Sequence, residues 1–283
     1  METRTLDSPP ALPPLYAKAA LGMLPGGGDD VPDHALELHG VEIDLDRLAE
    51  YAHVCGLPLR DSLPPTYPHV LAFPLSMALM TERSFPFALL GMVHIANRIE
   101  QRSEIPTGTR PNIRLWAENL RPHYRGRQLD LATELSLDGE TVWSERCTYL
   151  RPGDGSGERP ERTDDPFAGA EPMATWSVPG DIGRRYAAVS GDRNPIHLHP
   201  LSARLFGFPS AIAHGMWTCS RALASLEGRL PAKHVEKVEF RAPLRIPGGA
   251  RVLAARHEGG WDLAVESPDG EHRHLELSVD TID

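Results

Sequence analysis

Asp192 and His197 stand five residues apart in a segment, Tyr186 to Phe208, that reads YAAVSGDRNPIHLHPLSARLFGF. A carboxylate and an imidazole on one turn make an acid–base pair, since an unperturbed imidazole titrates near neutrality. Aspartate is ordinarily ionised at that pH, so a donor role for Asp192 needs a pKa raised by partial burial. Asn194 lies between them. Pro195 fixes its own φ and biases Asn194 away from helical geometry, which holds the turn open for the two side chains. Eighteen residues beyond His197 comes Gly215, within Ala213-His214-Gly215-Met216, where a helix is expected to begin.

Each of these residues also has a plainer reading. Asp-x-Asn-Pro is ordinary punctuation after a helix. Asp192, His197 and His199 together suggest a metal site, but no further ligand cluster accompanies them, and His199 would face away from His197 on an extended segment. No metal is expected. His214 reads as a packing residue at the helix entrance, and Cys219 as core on the apolar face of the same helix. Asp61 and His69 lie eight apart without the intervening Asn-Pro, so they are not expected to be catalytic. His94 and His234 read as ordinary strand residues.

Asp-x-Asn-Pro-x-His followed by His-Gly at a helix entrance resembles the signature of the MaoC-like, (R)-specific enoyl-thioester hydratases and dehydratases. The resemblance implies a hot-dog fold and the reversible addition of water across the 2,3 double bond of an acyl thioester. It implies that Asp192 and His197 hold one water, with His197 as base and Asp192 orienting the water and exchanging a proton with C2. Asn194 would orient its neighbours. The backbone N–H of Gly215 would meet the thioester oxygen as it becomes enolate-like, because amides and a positive dipole point outward at a helix start and glycine allows close approach. No organic cofactor is implied. The substrate would be a fatty acyl chain on coenzyme A or on an acyl carrier protein. Thioester hydrolysis, which other hot-dog proteins perform, and a non-catalytic acyl-thioester-binding role stand as alternatives.

The elements that must position these residues come in two copies. Tyr51-Ala-His-Val-Cys-Gly56 reads against Tyr186-Ala-Ala-Val-Ser-Gly191, and Ile105-Pro-Thr-Gly108 against Ile246-Pro-Gly-Gly249. An Asp-Gly-Glu turn recurs at Asp138 and Asp269 between strand-like runs. Apolar residues at helical spacing precede each glycine, with Asp44 and Asp181 as N-caps. So long a unit, occurring twice, fits tandem duplication of a domain. Residues 1–150 are expected to form one half and 171–283 the other, joined by a Gly- and Pro-rich linker at 151–170.

Each half reads as a leading strand, a helix, a longer helix and a run of antiparallel strands, an α+β pattern. In the second half the longer helix runs from Gly215 until Gly228 and Pro231 stop it, and strands follow at Val235 to Ile246, Ala250 to Arg256, Trp261 to Glu266 and His272 to Val279. With the resemblance, the expected fold is a tandem (double) hot-dog, two central helices each wrapped by an antiparallel sheet. At the helix entrance Ala213-His214-Gly215-Met216 reads against Ala72-Phe73-Pro74-Leu75. The first half thus lacks the acid, the imidazole and the glycine, and is expected to shape the acyl pocket. A tandem pair can stand as a monomeric pseudo-dimer or as a homodimer through its remaining sheet edges.

Composition narrows the remaining classes. Hydrophobic and charged contents of 41% and 24% fit a soluble globular protein, and a net charge of −10 argues against binding phosphates of nucleic acid. Three unpaired cysteines, Cys55, Cys147 and Cys219, fit a reducing compartment. Met1 to Pro14 lacks the apolar core of a secretion signal, and Val70 to Met80 is too short to span a bilayer and is broken by Pro74. A cytoplasmic protein without a membrane span is expected. Arg98, Arg102, Arg110, Arg114, Arg121, Arg125 and Arg127 form one basic stretch, read as a solvated strand face or as a meeting point for phosphates of coenzyme A or an acidic carrier protein.

Overall fold

In the computed structural model, which describes residues 1–21, 30–156, 158 and 165–282, the chain opens with β1 (Glu2–Leu6) and α1 (Leu12–Leu21). β2 (His34–Leu38) leads into α2 (Leu45–Cys55) and α3 (Tyr67–Met80), and then into β3 (Val93–Gln101), β4 (Asn112–His123), β5 (Gly126–Leu137) and β6 (Glu140–Pro152). The second half repeats this with β7 (Ala174–Val178), α4 (Ile182–Ser190), the short α5 (Pro195–Leu198) and α6 (Pro200–Leu205), and α7 (Gly215–Ala224). It closes with β8 (His234–Phe240), β9 (Gly248–His257), β10 (Gly260–Glu266) and β11 (Arg273–Thr281). Part of the segment expected to be a linker, 157 and 159–164, lies outside the described residues.

All eleven strands join one sheet, in the order β1-β2-β4-β5-β6-β3-β8-β11-β10-β9-β7. Its seam is the antiparallel pair β3–β8, from Ala96 opposite Glu239 to Gln101 opposite His234. Outward from that seam the order is β6, β5, β4, β2 on one side and β11, β10, β9, β7 on the other, so the same connectivity occurs twice about an approximate two-fold axis. β1, paired parallel with β2 at the outer edge, has no counterpart in the second half among the described residues.

The repeated motif has a local cause. Asp44 caps α2, its Oδ1 accepting from the N–H of Asp46 and of Arg47, and Gly56 ends the helix at φ +68°. Gly191 ends α4 at φ +84°. Both glycines sit in the left-handed region, which a residue with a Cβ enters only at a cost. Asp181 occupies the matching N-cap position, but its side chain makes no capping hydrogen bond. The repeated tyrosines, Tyr51 and Tyr186, are both buried and meet across the two halves with ring centroids 6.1 Å apart. The Tyr51 hydroxyl also reaches Thr66 Oγ1 at 2.8 Å and Ser220 Oγ at 2.9 Å, so a buried hydroxyl triangle joins α2, the α3 entrance and α7.

Several expected boundaries move. Pro74 sits inside α3, and the helix starts at Tyr67, so Ala72-Phe73-Pro74-Leu75 lies beyond its first turn and is not a helix entrance. α7 ends at Ala224, before Gly228, although Leu226 beyond it is still fully buried. β8 stops at Phe240, short of Pro243 and Pro247, which have no N–H for a ladder. Three of the seven arginines of the basic stretch are paired locally: Arg98 and Arg102 with Glu100, and Arg121 with Asp130. No helix among the described residues is long and apolar enough to cross a membrane.

Candidate active site

The turn after α4 is built by its own polar side chains. Asp192 Oδ1 accepts from the N–H of Asn194 at 3.0 Å, and the Asp192 N–H donates to Ser190 Oγ at 3.1 Å. Asn194 then caps α5, with Oδ1 3.4 Å from the N–H of Ile196 and Pro195 in the first helical position, where a missing N–H costs nothing. This one-turn helix aims His197 back at Asp192. His199 is extended and caps α6 through Nδ1, so it faces away from the pair as expected.

One cavity collects Asp192, Asn194, His197, His214 and Gly215 from the second half and His69, Phe73, Met92, His94 and Tyr149 from the first. Asp61 does not line it, and His234 lines a separate one. The structure therefore brings together all four residues singled out from the motif. An oxygen of Asp192 and one ring nitrogen each of His197 and His214 lie within 4.8 Å of one another. Two hydrogen bonds of about 2.8 Å meeting at a tetrahedral oxygen span about 4.6 Å, a length within that bound.

His197 is held as a base. Its Nδ1 lies 2.9 Å from the Ile212 carbonyl, an acceptor only, so that nitrogen carries the proton and Nε2 keeps its lone pair. Burial lowers the His197 pKa below its ordinary 6.5, against the pull of the Asp192 charge and the Ile212 carbonyl. The Asp192 pKa is lowered as well. Burial raises it, but His214, His197 and the Asn194 N–H outweigh that. Asp192 is thus an ionised acceptor, and the raised pKa that a resting donor role requires is not what its surroundings provide.

His214 does more than pack. Its Nε2–H donates to the Asp192 carbonyl at 3.0 Å, and its ring stacks on His197. Burial first, then the neighbouring His197, push its pKa down to about 3.

Gly215 opens α7 with no side-chain cap from His214, which leaves amides at a positive helix end facing the cavity. The reason for glycine is more specific than close approach of a substrate. A Cβ there would stand 2.8 Å from Cε1 of Phe240, whose ring lies across the helix entrance.

Tyr16 is the site residue that no motif announced. From α1 its hydroxyl donates to the Gly191 carbonyl at 2.8 Å and accepts from the Arg193 N–H at 2.6 Å, bracketing Asp192. It lies 175 residues from Gly191, so no local pattern could link the two.

With this geometry in place, comparison with known proteins is informative. A family model described as "MaoC like domain" matches residues 164–267. The 3-hydroxyacyl-thioester dehydratase X of Mycobacterium tuberculosis is 38% identical over 267 residues, covering 93% of this chain and 95% of that one. The crystal structure of HtdX from the same organism superposes with a TM-score of 0.79 at 36% identity, covering 88% of this chain and all of the other. Another M. tuberculosis protein, described as having a double hot-dog fold, gives a TM-score of 0.52 at 14% identity over 84% of this chain and 92% of that one, which speaks to fold alone. A double hot-dog built around this cavity, and related across nearly its whole length to one of their number, the chain belongs to the MaoC-like dehydratases.

Proposed function

We propose that this protein interconverts (3R)-hydroxyacyl and trans-2-enoyl thioesters in fatty-acid metabolism, with Asp192 and His197 as the reacting pair. The observation that supports the reading is the convergence on one cavity, within 4.8 Å, of the Asp192 carboxylate and a His197 whose Nδ1 is tied to the Ile212 carbonyl. In the hydration direction Asp192 accepts a hydrogen bond from the water while His197 Nε2 takes its proton. The hydroxide adds to C3, and the proton passes from His197 to C2 on the same face. Dehydration runs through the same groups in reverse: C2 gives up its proton to His197, and the departing hydroxyl takes it away as water.

Asn194 positions both partners, through the cap on α5 and the N–H it gives to Asp192. The Gly215 N–H stabilises the negative charge that gathers on the thioester oxygen, a contribution of about 3 kcal/mol where one such donor has been removed from other enzymes. Residues 171–283 carry the chemistry and residues 1–150 supply the far wall of the acyl pocket, with 151–170 linking them. The thioester is presented on coenzyme A or on a carrier protein, and the chain works as a monomeric pseudo-dimer or a homodimer. No cofactor enters the water reaction.

The decisive assay follows enoyl absorbance with crotonyl- and longer enoyl-coenzyme A. Formation of the (3R)-hydroxy product that falls by 10²-fold or more in both Asp192→Asn and His197→Ala is expected, the lower range for general acid–base groups. Release of free thiol without a hydroxy product would instead make it a hydrolase.

A further inference from the structure

The first half faces the same cavity with groups that a plain alkyl tunnel does not need. His69, on the first turn of α3, has Nδ1 2.9 and 3.0 Å from the two oxygens of Glu145 on β6. Asn97 on β3 donates to the same carboxylate at 2.7 Å. The Glu145 side chain is only 2% exposed, so a full carboxylate has been buried to hold one imidazole. Burying such a pair carries a desolvation cost that apolar residues avoid. The architecture itself does not ask for it. β11, which takes the place of β6 in the second half, turns Leu275, Leu277 and Val279 into the core.

With Nδ1 engaged by Glu145, the remaining nitrogen of His69, Nε2, has no hydrogen-bond partner among the described residues. Beside it His94 lies with its ring parallel and 6.3 Å away, packed on Tyr149 at 4.8 Å and on Phe240 at 4.9 Å. His94 Nε2 is buried and unpartnered. The Tyr149 hydroxyl likewise makes no hydrogen bond among the described residues. All three residues line the same cavity as Asp192 and His197. A buried polar atom without a partner costs about 1–3 kcal/mol, and ligand pockets reserve such atoms for orienting a polar group of the ligand.

From this convergence we infer that His69, His94 and Tyr149 form a polar subsite in the acyl pocket that takes a hydroxyl group on the acyl chain beyond the reacting carbons. A hydroxyl fits because it both donates and accepts. The Glu145 carboxylate raises the His69 pKa against the effect of burial, which favours a proton on Nε2, whereas burial and His69 push His94 down to about 4 and keep it neutral. The wall therefore presents two imidazoles whose pKa values are pushed in opposite directions. The inference rests on the thioester reading above and adds a substrate class to it: hydroxylated acyl thioesters.

Saturated acyl-pantetheine thioesters, which can neither hydrate nor dehydrate, separate recognition from turnover. One hydroxyl is moved along the chain from C5 outward, and affinity is measured by titration calorimetry against the plain chain. At one position or a neighbouring pair, binding about tenfold tighter than the plain chain is expected. The double variant His69→Leu/Glu145→Leu, which restores an apolar wall like that of β11, abolishes the gain and leaves plain-chain affinity within about twofold. Replacing a buried pair by apolar residues is commonly neutral for folding, and circular dichroism checks it. Tyr149→Phe removes one oxygen only and cuts the gain about threefold. Equal binding at every position, or a gain that survives the double variant, overturns the subsite even if plain enoyl thioesters turn over normally. Failure to bind any acyl thioester, together with no turnover, removes the catalytic reading and the subsite with it.

Discussion

The imidazoles of His197 and His214 lie face to face, centroids 3.7 Å apart and planes 27° from parallel. Two positive charges at that separation would repel strongly inside a buried site, so the arrangement favours both rings neutral. His197 thereby helps keep His214 neutral, while the His214 N–H anchors the backbone of Asp192.

A pH profile tests this directly. The proposed mechanism requires neutral His197 and ionised Asp192, and both pKa values are lowered, His197 from 6.5 and Asp192 from 3.8. Activity should hold steady from neutrality down past pH 6.5, with the falling limb of kcat/KM on the acid side of that value. A limb at or above pH 7 would contradict a depressed His197. His214→Phe keeps the stack and removes the hydrogen bond, and kcat should fall about tenfold, the scale of one buried hydrogen bond.

At Gly215 the expected effect is steric. Gly215→Ala places a methyl 2.8 Å from the Phe240 ring and should displace the helix entrance, lowering kcat by about 10²-fold or more as the oxyanion donor shifts. Gly215→Ala/Phe240→Leu should recover much of the loss. Rescue by the second change separates crowding at Phe240 from any intrinsic need for glycine.

Legibility from sequence followed sequence distance. The Asp-x-Asn-Pro-x-His turn could be read because its hydrogen bonds join residues two apart, such as Asp192 with Asn194 and Asn194 with Ile196. Tyr51 and Tyr186 betrayed the repeat because each helix ends in a left-handed glycine. The surroundings of His69 are not legible from sequence, since Glu145 reaches it from β6, 76 residues away, and is itself held by Asn97 on β3. The helix-entrance alignment slipped for a different reason. A proline inside α3 looked like a helix start but sits where neighbouring packing tolerates it.

Tyr16→Phe is the test of α1. It removes a hydroxyl bonded to both Gly191 and Arg193, so the reacting loop loses two restraints, each worth about 1 kcal/mol. We expect a kcat loss of several-fold to tenfold with global melting almost unchanged. A melting shift without a change in kcat would make α1 a structural prop only.

Stability should also fall on the acid side. His94 and His214 are held neutral with pKa values of about 4 and about 3, whereas in an unfolded chain they titrate near 6.5. Between those limits the unfolded state binds more protons, so stability declines as pH drops below about 6.5. His69 and His234, with raised pKa values, act above about 6.5 instead, where their contribution is lost as pH rises through the folded values, and add no change below it. A melting curve series from pH 7.5 to 4 should show the drop, and His94→Phe should flatten it.

The β3–β8 seam has an evolutionary corollary. Were the halves identical subunits, every mutation would strike twice, once in the wall of a pocket and once beside the reacting loop of its mate. Within one polypeptide each position occurs once. Selection can therefore retool what the cavity admits, through Tyr149 or His69, while the turn that carries Asp192 and His197 stays as inherited.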